Sequence, residues 1–400
     1  MTIYRKALIL ILCLSPALLQ AEVFRFRYVE GAKFHAVAQI DETVIVRYGY
    51  QQTVQQSQML YKIAYTVTDT EDGAGFLNGS FQIATKSSGQ AGVYEKSEEH
   101  PTAYWRNADG TMRFPQFYSF PVVRNVPRFP ERDIKPGETW VGQGEEVHDF
   151  RDTPTGIGIL RFPINVAYQY RGIERYKGEE LHAIDATYNV YHRFPSSSSL
   201  APEQISGFSA QKLYWDNELG YLKGYSEEFE LVMHFNDGSV QIFRGTGAAE
   251  VIQAEKMEKE RVAEDIRKTL DDEGVADSNV RIGEEGVTIA LSNIQFQPDS
   301  SRFMPGEERK IETVARILKN YPGRDILVSG HTALAGSAEG RQRLSVERAR
   351  VVAQELIRLG ARREAEIVIR GAGAREPIAD NSSEAGRRLN RRVEITILEN

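Results

Sequence analysis

The stretch "DILVSGHTALAGSAEGRQRLSVERARVVAQELIRLG" at residues 325–360 decides the fold of the C-terminal part of the chain. Its apolar run ends at Gly330 and is typical of a short buried strand, whereas residues 340–359 have the spacing of an amphipathic helix that stops at Gly360. Further strands and helices are indicated around this unit: VTIALS (287–292), a helix over 305–321, EIVIRG (366–371), a short helix near 384 and RVEITI (392–397). The order βαβαβ(α)β predicts a small α/β domain over residues 275–400.

The residues before this domain follow a two-residue period instead. Apolar and polar side chains alternate over residues 61–67, 164–170 and 184–190, which is typical of strands with one buried face. The Asn-Asp-Gly sequence at 236–238 between two such runs is a strong hairpin signal. We therefore predict an antiparallel β-rich domain over residues 22–248, built as an open barrel or a sandwich.

A highly charged segment, residues 249–274, separates the two patterns. Val262, Ile266 and Leu270 form a narrow apolar stripe on it, and Gly274 is a natural helix stop. We predict a connecting helix over this segment. The whole chain is thus an α+β multidomain protein.

Composition and the N-terminus restrict the class of protein. The chain has 400 residues, 41% of them apolar, and a formal net charge of -7, which argues against general nucleic-acid binding. Residues 1–21 place Arg5 and Lys6 before a short apolar run, which predicts a signal peptide, a mature chain without a transmembrane segment, and export to the periplasm. Association of the exported protein with the outer membrane is left open. Cys13, the only cysteine, falls in that peptide, so the mature chain is expected to have no thiol.

Catalytic and metal-binding motifs are missing from the sequence. The seven histidines are scattered, without an HExxH or similar zinc motif. His148 and Asp149 could be written as a catalytic pair, but such a dipeptide arises easily by chance. No GxSxG elbow, phosphate loop or dinucleotide fingerprint occurs. We predict a protein that is not an enzyme and that has neither a cofactor nor a metal site.

Arginines near the predicted strand end indicate a site for an anionic ligand. The loop 331–337 leaves the carboxyl end of a strand, where open α/β sheets bind ligands, and a helix N-terminus near Ser337 adds free N–H groups. Arg348 could hold a carboxylate through two parallel hydrogen bonds, and Arg391 could approach the same crevice. The alternative is a solvated helix face, which is the expectation for Arg341, Arg343 and Arg350.

Four separated motifs in this part resemble the OmpA-like peptidoglycan-binding domain: "NIQFQPDSSRF", "ILVSGHT", "LSVERARVVAQEL" and "GAGAREPIADNSSEAGRRLNRRVEI". The resemblance spans roughly residues 280–398 and does not extend to the β-rich remainder. It implies that an arginine of "LSxxRA" and an aspartate directly after "GHT" hold a diaminopimelate residue of the cell-wall stem peptide.

The resemblance assigns these roles to particular residues of this chain. The arginine position is Arg348, whereas the aspartate position is Ala333; the arginine of "NRRVE" is Arg391, and His331 and Thr332 complete the loop motif. A hydrogen bond to a charged group contributes about 1.5 to 3 kcal/mol, so its loss implies roughly ten- to a hundredfold weaker binding. We expect weakened or altered peptidoglycan binding through Arg348. The alternative is a domain that no longer binds peptidoglycan and instead contacts a protein or positions its neighbour.

The β-rich domain leaves two functions open. It could engage another envelope protein while the C-terminal domain tethers the chain to the wall. It could instead be a carrier that encloses a lipid or another apolar ligand among its many Tyr and Phe side chains. A large cavity lined by those side chains would favour the carrier, and a filled interior would favour the structural role.

Overall fold

The computed structural model describes residues 21–399 except for 88–92, 152–157, 195–201, 254–256, 276–277, 284, 293, 295–302 and 305. The predicted signal peptide therefore lies outside the described residues except for its last position. Within the part that is described, no helix is long and apolar enough to cross a membrane.

The described N-terminal part is made of strands. Their bounds are β1 (Lys33–Tyr48), β2 (Gln51–Glu71), β3 (Ala74–Ser87), β4 (Tyr94–Arg106), β5 (Met112–Arg113), β6 (Val123–Arg124), β7 (Thr139–Asp149), β8 (Ile159–Tyr176), β9 (Glu179–Arg193), β10 (Pro202–Asp216), β11 (Tyr221–Phe235) and β12 (Val240–Gln253). The Asn-Asp-Gly turn joins β11 to β12 as predicted, with Gly238 at a φ of 83°. A side chain is rarely tolerated at such an angle, which explains the glycine.

The long strands form one antiparallel sheet in the order β7-β8-β9-β10-β11-β12-β1-β2-β3-β4. The sheet is curled, as Tyr188 of β9 and Phe81 of β3 show by lining one cavity on its concave side. The described pairings do not join β4 to β7, so the sheet stays open. The prediction of an antiparallel β-rich part is confirmed, in its open-barrel form rather than as a sandwich.

Aromatic side chains fill one part of the concave side. The rings of Phe26 and Phe129 each lie 4.8 Å from that of Trp215, which is fully buried. Such edge-to-face pairs combine large apolar burial with favourable ring geometry. The proline-rich passage 114–136 supplies Phe129 and crosses the concave side with only the short β6 in it, as its prolines predict.

The connecting helix is shorter than predicted. Helix α1 spans Lys259–Asp272, and residues 249–253 belong to strand β12. Ala249 pairs with Ala38 of β1, so backbone hydrogen bonds of the sheet hold a segment whose charged residues suggested a helix. The apolar stripe at Val262, Ile266 and Leu270 is buried as expected, and Gly274 follows the helix with a φ of 65°.

The C-terminal part has the predicted α/β order with one further strand. Its elements after α1 are β13 (Ser278–Ile282), β14 (Gly286–Ser292), α2 (Glu308–Lys319), β15 (Ile326–His331), α3 (Ala338–Arg358), β16 (Ile367–Gly373), α4 (Glu384–Asn390) and β17 (Arg392–Leu398). The sheet order is β16-β15-β17-β14-β13, with β15 and β16 parallel and the other pairs antiparallel. The apolar faces of α1, α2 and α3 cover this sheet in a common core.

The two sheets meet along a buried seam. Two residue pairs of β4 and β16 align in parallel, and Leu60, Tyr94, Leu327 and Val368 form a small apolar cluster there. Beside it, the Asp325 carboxylate lies near Lys62 and His35 of the N-terminal sheet.

Asp325 is the charged centre of the seam. Its Oδ2 lies 3.0 Å from Nζ of Lys62 and 3.2 Å from Nε2 of His35, and all three side chains are buried. Burial alone would raise the pKa of Asp325, but Lys62 and His35 hold it below its ordinary value. The seam therefore contains a charge that neither sheet neutralises by itself.

Candidate functional site

The carboxyl end of β15 is packed directly onto α3. A Cβ atom at Gly330 would lie 2.0 Å from the backbone oxygen of Ser345, so only glycine fits there. The buried Ser345 hydroxyl donates to the Gln342 carbonyl at 2.8 Å and accepts from the Gly373 N–H at 3.0 Å. These contacts fix the part of α3 that carries Arg348, about one helical turn further along.

The loop after β15 begins buried and then becomes exposed. His331, Thr332 and Ala333 are buried, whereas Leu334 is exposed. The Thr332 N–H donates to the Gly373 carbonyl at 2.8 Å. The end of β16 thus binds both the loop and α3, which brings the two parts of the predicted site to one edge of the sheet. Ser337 caps α3 by accepting from a backbone N–H, as the sequence predicted.

A second loop, which the sequence analysis did not single out, lies against the first. Asn381 Oδ1 accepts from the Leu334 N–H at 3.0 Å and from the Asn390 side chain at 3.0 Å. Asp380, the preceding residue, is exposed, and hydrogen bonds from Ser382 lower the pKa of its carboxyl. Asp380 and Ala333 are thus the residues that precede a hydrogen-bonded pair, Asn381 and Leu334, which joins the two loops. The Asp-Asn-Ser sequence was the available signal, since these residues favour turns.

His331 and Thr332 lie beneath the loop surface. Burial, reinforced by the nearby Arg392, lowers the pKa of His331 to about 4, so the ring is neutral at pH 7. Its Nε2 lies 3.7 Å from a carboxylate oxygen of Glu394. Among the described residues, neither the His331 ring nor the Thr332 hydroxyl has a hydrogen-bond partner. Both side chains are buried, so they lie under the loop rather than on its ligand-facing surface.

The arginines of the site differ in their surroundings. Arg348 is half-buried on α3. Arg391 caps α4 and donates to Glu384 at 2.6 Å, which lowers the pKa of that carboxyl. Arg350 does not lie on a solvated face as expected, because its side chain is only 12% exposed and pairs with Glu95 of β4 at 3.5 Å. That pairing extends the seam between the two sheets, which the helix pattern alone could not reveal.

The candidate catalytic pair is not formed. His148 Nε2 contacts Glu146 at 2.8 Å, while Asp149 binds Ser119 and Arg151. In the part of the chain that the structure describes, no group of three or more His, Cys, Asp or Glu side chains could hold a metal ion.

The concave side of the N-terminal sheet encloses a cavity of about 580 Å³. This volume is within the range of roughly 300 to 1,000 Å³ that small-molecule sites occupy. Alternate residues of β1 line it along its length: Phe34, Ala36, Ala38, Ile40 and Glu42. The small Ala36 and Ala38 side chains, together with Ala249 of β12, leave the central space open.

Known proteins resemble this chain in its C-terminal part. The sequence profile of the OmpA family matches residues 295–391. The probable lipoprotein YiaD of Escherichia coli is 36% identical over 124 residues, which are 31% of this chain and 56% of that protein. The outer-membrane lipoprotein YfiB of Pseudomonas aeruginosa is 33% identical over 115 residues, 28% of this chain and 68% of that protein. The peptidoglycan-binding protein ArfA of Mycobacterium tuberculosis is 35% identical over 104 residues, 26% of this chain and 32% of that protein.

These relatives match only the C-terminal part of the chain. The chain spans about half the length of YiaD and about a third of ArfA, and the matched part is the α/β domain. The names of these relatives describe envelope and peptidoglycan-binding proteins rather than enzymes, in agreement with the sequence analysis. The four motifs quoted from the sequence lie in the same region as the match. Through its C-terminal third, the chain belongs to the OmpA family.

Proposed function

We propose that this protein is a non-enzymatic component of the periplasm that binds peptidoglycan through its OmpA-like domain. The observation that carries the proposal is the position of Arg348, which follows Ser345 on the part of α3 that is fixed to the ends of β15 and β16. The peptidoglycan-binding name of one relative supports the ligand class. The predicted signal peptide and the outer-membrane name of another relative support the location.

In this proposal, Arg348 holds a carboxylate of the stem peptide. A guanidinium presents paired donors that match the two oxygens of a carboxylate, which a lysine cannot do. Its half-buried position limits competition from water, so the interaction is stronger than a surface ion pair. Arg391 supplies a second cation, partly neutralised by Glu384.

The ammonium of the ligand meets a changed environment. Ala333 is buried and carries no acceptor, so the usual carboxylate is lost. The Asp380 carboxylate, next to the residue that hydrogen-bonds the loop, is the replacement we propose. The buried Thr332 and the neutral His331 ring support the loop from below. The site therefore binds with altered geometry rather than with the full family clamp.

We further propose that the chain is organised as a signal peptide over residues 1–21, a β-domain that ends with β12, the connecting helix α1, and an OmpA-like domain from residue 275. The support is the change in sheet construction, from a long antiparallel sheet before α1 to a mixed sheet with covering helices after it.

Retention on purified peptidoglycan sacculi tests the wall-binding function. The chain without its signal peptide should be retained, and Arg348→Ala should weaken retention roughly ten- to a hundredfold because a charge-assisted hydrogen bond is lost. Arg343→Ala is the matched control, since this arginine is exposed on the same helix. Ala333→Asp should bind more tightly, and Asp380→Asn more weakly, than the wild type.

The outcomes separate the alternatives. Equal losses in Arg348→Ala and Arg343→Ala would show that binding is a general effect of positive charge. If the wild type stays in solution while Ala333→Asp is retained, the domain keeps the fold but has abandoned the ligand. If Asp380→Asn binds sacculi as tightly as the wild type, only the proposed role of the Asp380 carboxylate is refuted.

A second function, binding of an apolar ligand by the β-domain, is favoured by the cavity of about 580 Å³. Ala249→Trp places a large side chain in the cavity, whereas Ala248→Trp, one residue away on the exposed face of β12, is its matched control. Dodecanol is the probe, because it is apolar and uncharged. We expect Ala249→Trp to abolish its binding and Ala248→Trp to leave it unchanged. No binding by the wild type would refute this function.

A further inference from the structure

One end of the cavity holds an arginine that no acidic residue neutralises. Arg106, at the end of β4, lines the cavity beside Phe26, Tyr28 and Tyr65. Among the described residues, no Asp or Glu forms an ion pair with it, and its guanidinium donates one hydrogen bond, to the Tyr104 hydroxyl at 3.2 Å. The guanidinium also interacts with the buried Tyr28 hydroxyl. Arginine stays charged in proteins, so the positive charge of Arg106 has no counter-charge among the described residues.

Two other buried arginines of the described chain are bound to carboxylate or backbone acceptors. The guanidinium of Arg362 donates to backbone carbonyls of Leu318, Tyr321, Arg324 and Ala361. Arg392 binds the Glu394 carboxylate at 2.6 Å and a backbone carbonyl. These side chains hold the structure together. Arg106 faces open space instead, so its donors are available to something that enters the cavity.

The groups around Arg106 add to its preference for an anion. Its guanidinium carbon lies 4.8 Å from the centre of the Phe26 ring and 5.4 Å from that of Tyr104, so the ring faces offset only part of the cost of burying the charge. The buried hydroxyl of Tyr28 interacts with the Arg106 guanidinium and is not itself exposed to the cavity. The cavity therefore has a cation without an acidic partner, held beside a neighbouring hydroxyl.

The rest of the cavity is apolar and long. The five lining residues of β1 run from Phe34 to Glu42, which corresponds to roughly 26 Å of strand. Carboxyl groups lie toward the other end: burial raises the pKa of Glu42 and of Glu227, whose Oε1 accepts a hydrogen bond from Ser209. An anionic group is therefore favoured at the Arg106 end and disfavoured at the Glu42 end.

We propose that the cavity binds a single-chain amphiphile with an anionic head group, and that Arg106, positioned by the Tyr28 hydroxyl, binds the head. The inference rests on the apolar-ligand function proposed above and adds the chemical class and orientation of the ligand. The apolar chain extends from Arg106 along the inner face of β1 toward Glu42. A carboxylate and a phosphate head share the required chemistry, and the test distinguishes them.

Isothermal titration calorimetry on the chain without its signal peptide provides the test. Dodecanoate, dodecyl phosphate and dodecanol share one apolar chain and differ only in the head group. We expect the better anionic probe to bind about ten- to a hundredfold more tightly than dodecanol, as expected for hydrogen bonds to a charged group. Arg106→Met should remove this preference without weakening dodecanol. Arg113→Met, an exposed arginine that does not line the cavity, should change nothing.

Tyr28→Phe is a second variant that tests the assignment if Arg106→Met fails to fold. It removes the hydroxyl that interacts with the Arg106 guanidinium and keeps the ring in its packing, so the protein should stay folded while the anionic probe binds several-fold more weakly. Equal binding of all three probes, or a preference that survives both Arg106→Met and Tyr28→Phe, would overturn the head-group assignment while the apolar-ligand function stands. If no probe binds the wild type, both fail. The ratio of the two anionic affinities identifies the head group.

Discussion

Replacing Asp325 with Asn should destabilise the protein strongly, because it leaves the Lys62 charge buried without its counter-charge. The two groups are 3.0 Å apart and both side chains are less than a tenth exposed. Removing one partner of a buried ion pair costs about 3 to 5 kcal/mol. The destabilisation by Asp325→Asn has an upper limit, because Lys62 can instead release its proton. At pH 7 this release costs about 5 kcal/mol relative to a free lysine.

Two optical probes follow the two sheets separately. The three tryptophans all lie in the N-terminal sheet, whereas the described helices all follow residue 258. Urea unfolding followed by tryptophan fluorescence and by far-UV circular dichroism should give coincident transitions if the seam holds the sheets together. In Asp325→Asn, both midpoints should fall, and the two transitions should separate.

Matched variants decide whether burial is the reason. Arg261→Ala removes one partner of an exposed pair with Glu258 that has a similar distance of 2.9 Å, and it should cost less than about 1 kcal/mol. The double variant Lys62→Met with Asp325→Leu should recover most of the lost stability, because neither charge remains. If Asp325→Asn and Arg261→Ala cost the same, the assignment of a buried charge at the seam is wrong.

Three more changes test the C-terminal site. His331 has a pKa of about 4 in the folded protein, below the ordinary histidine value of about 6.5 that applies to the unfolded chain. Acidification from pH 7 to 4 should therefore lower the free energy of unfolding by about 3 kcal/mol, because the unfolded chain takes up the proton first. The variant His331→Gln should not show this loss, and urea titration at each pH measures it. Gly330→Ala should cost roughly 1 to 3 kcal/mol and reduce retention on sacculi, because its Cβ would displace α3. Ser345→Ala should cost roughly 1 to 3 kcal/mol in urea unfolding, since the Gly373 N–H loses its acceptor.

Periodicity was sufficient to predict most elements of the fold. The two-residue alternation and the Asn-Asp-Gly turn gave the antiparallel sheet, and the helix stripes gave α2 and α3. Strand β13 was missed because it is five residues long and buries mainly Val280, so its pairing with β14 rather than a local pattern makes it a strand. The start of α1 was placed too early for a related reason: pairing with β1 determines the conformation of residues 249–253.

The site was predictable only where a motif marks it. The "LSVERA" sequence singled out Arg348 as a candidate, which stays a prediction, but the contact between Asn381 and Leu334 joins residues 47 positions apart and has no local signature. Arg106 is similar, since one arginine in an alternating strand does not reveal that its neighbours leave it without an acid. Such properties depend on which strands become neighbours, and local periodicity contains no information on that.

The seam and the proposed peptidoglycan site lie at opposite ends of β15, and this arrangement determines how the two parts of the chain can act together. Asp325 directly precedes the strand and the ligand loop follows it, so the two lie roughly 20 Å apart along its six residues. Arg350, two residues beyond Arg348 on α3, pairs with Glu95 and ties the same helix to β4. A ligand at the loop would therefore lie at the opposite end of β15 from Asp325, and in the proposed function peptidoglycan binding would hold the β-domain in one orientation. Asp325→Asn at low urea should accordingly keep its affinity for sacculi while releasing the β-domain, which limited proteolysis would detect as new cleavage between β12 and α1.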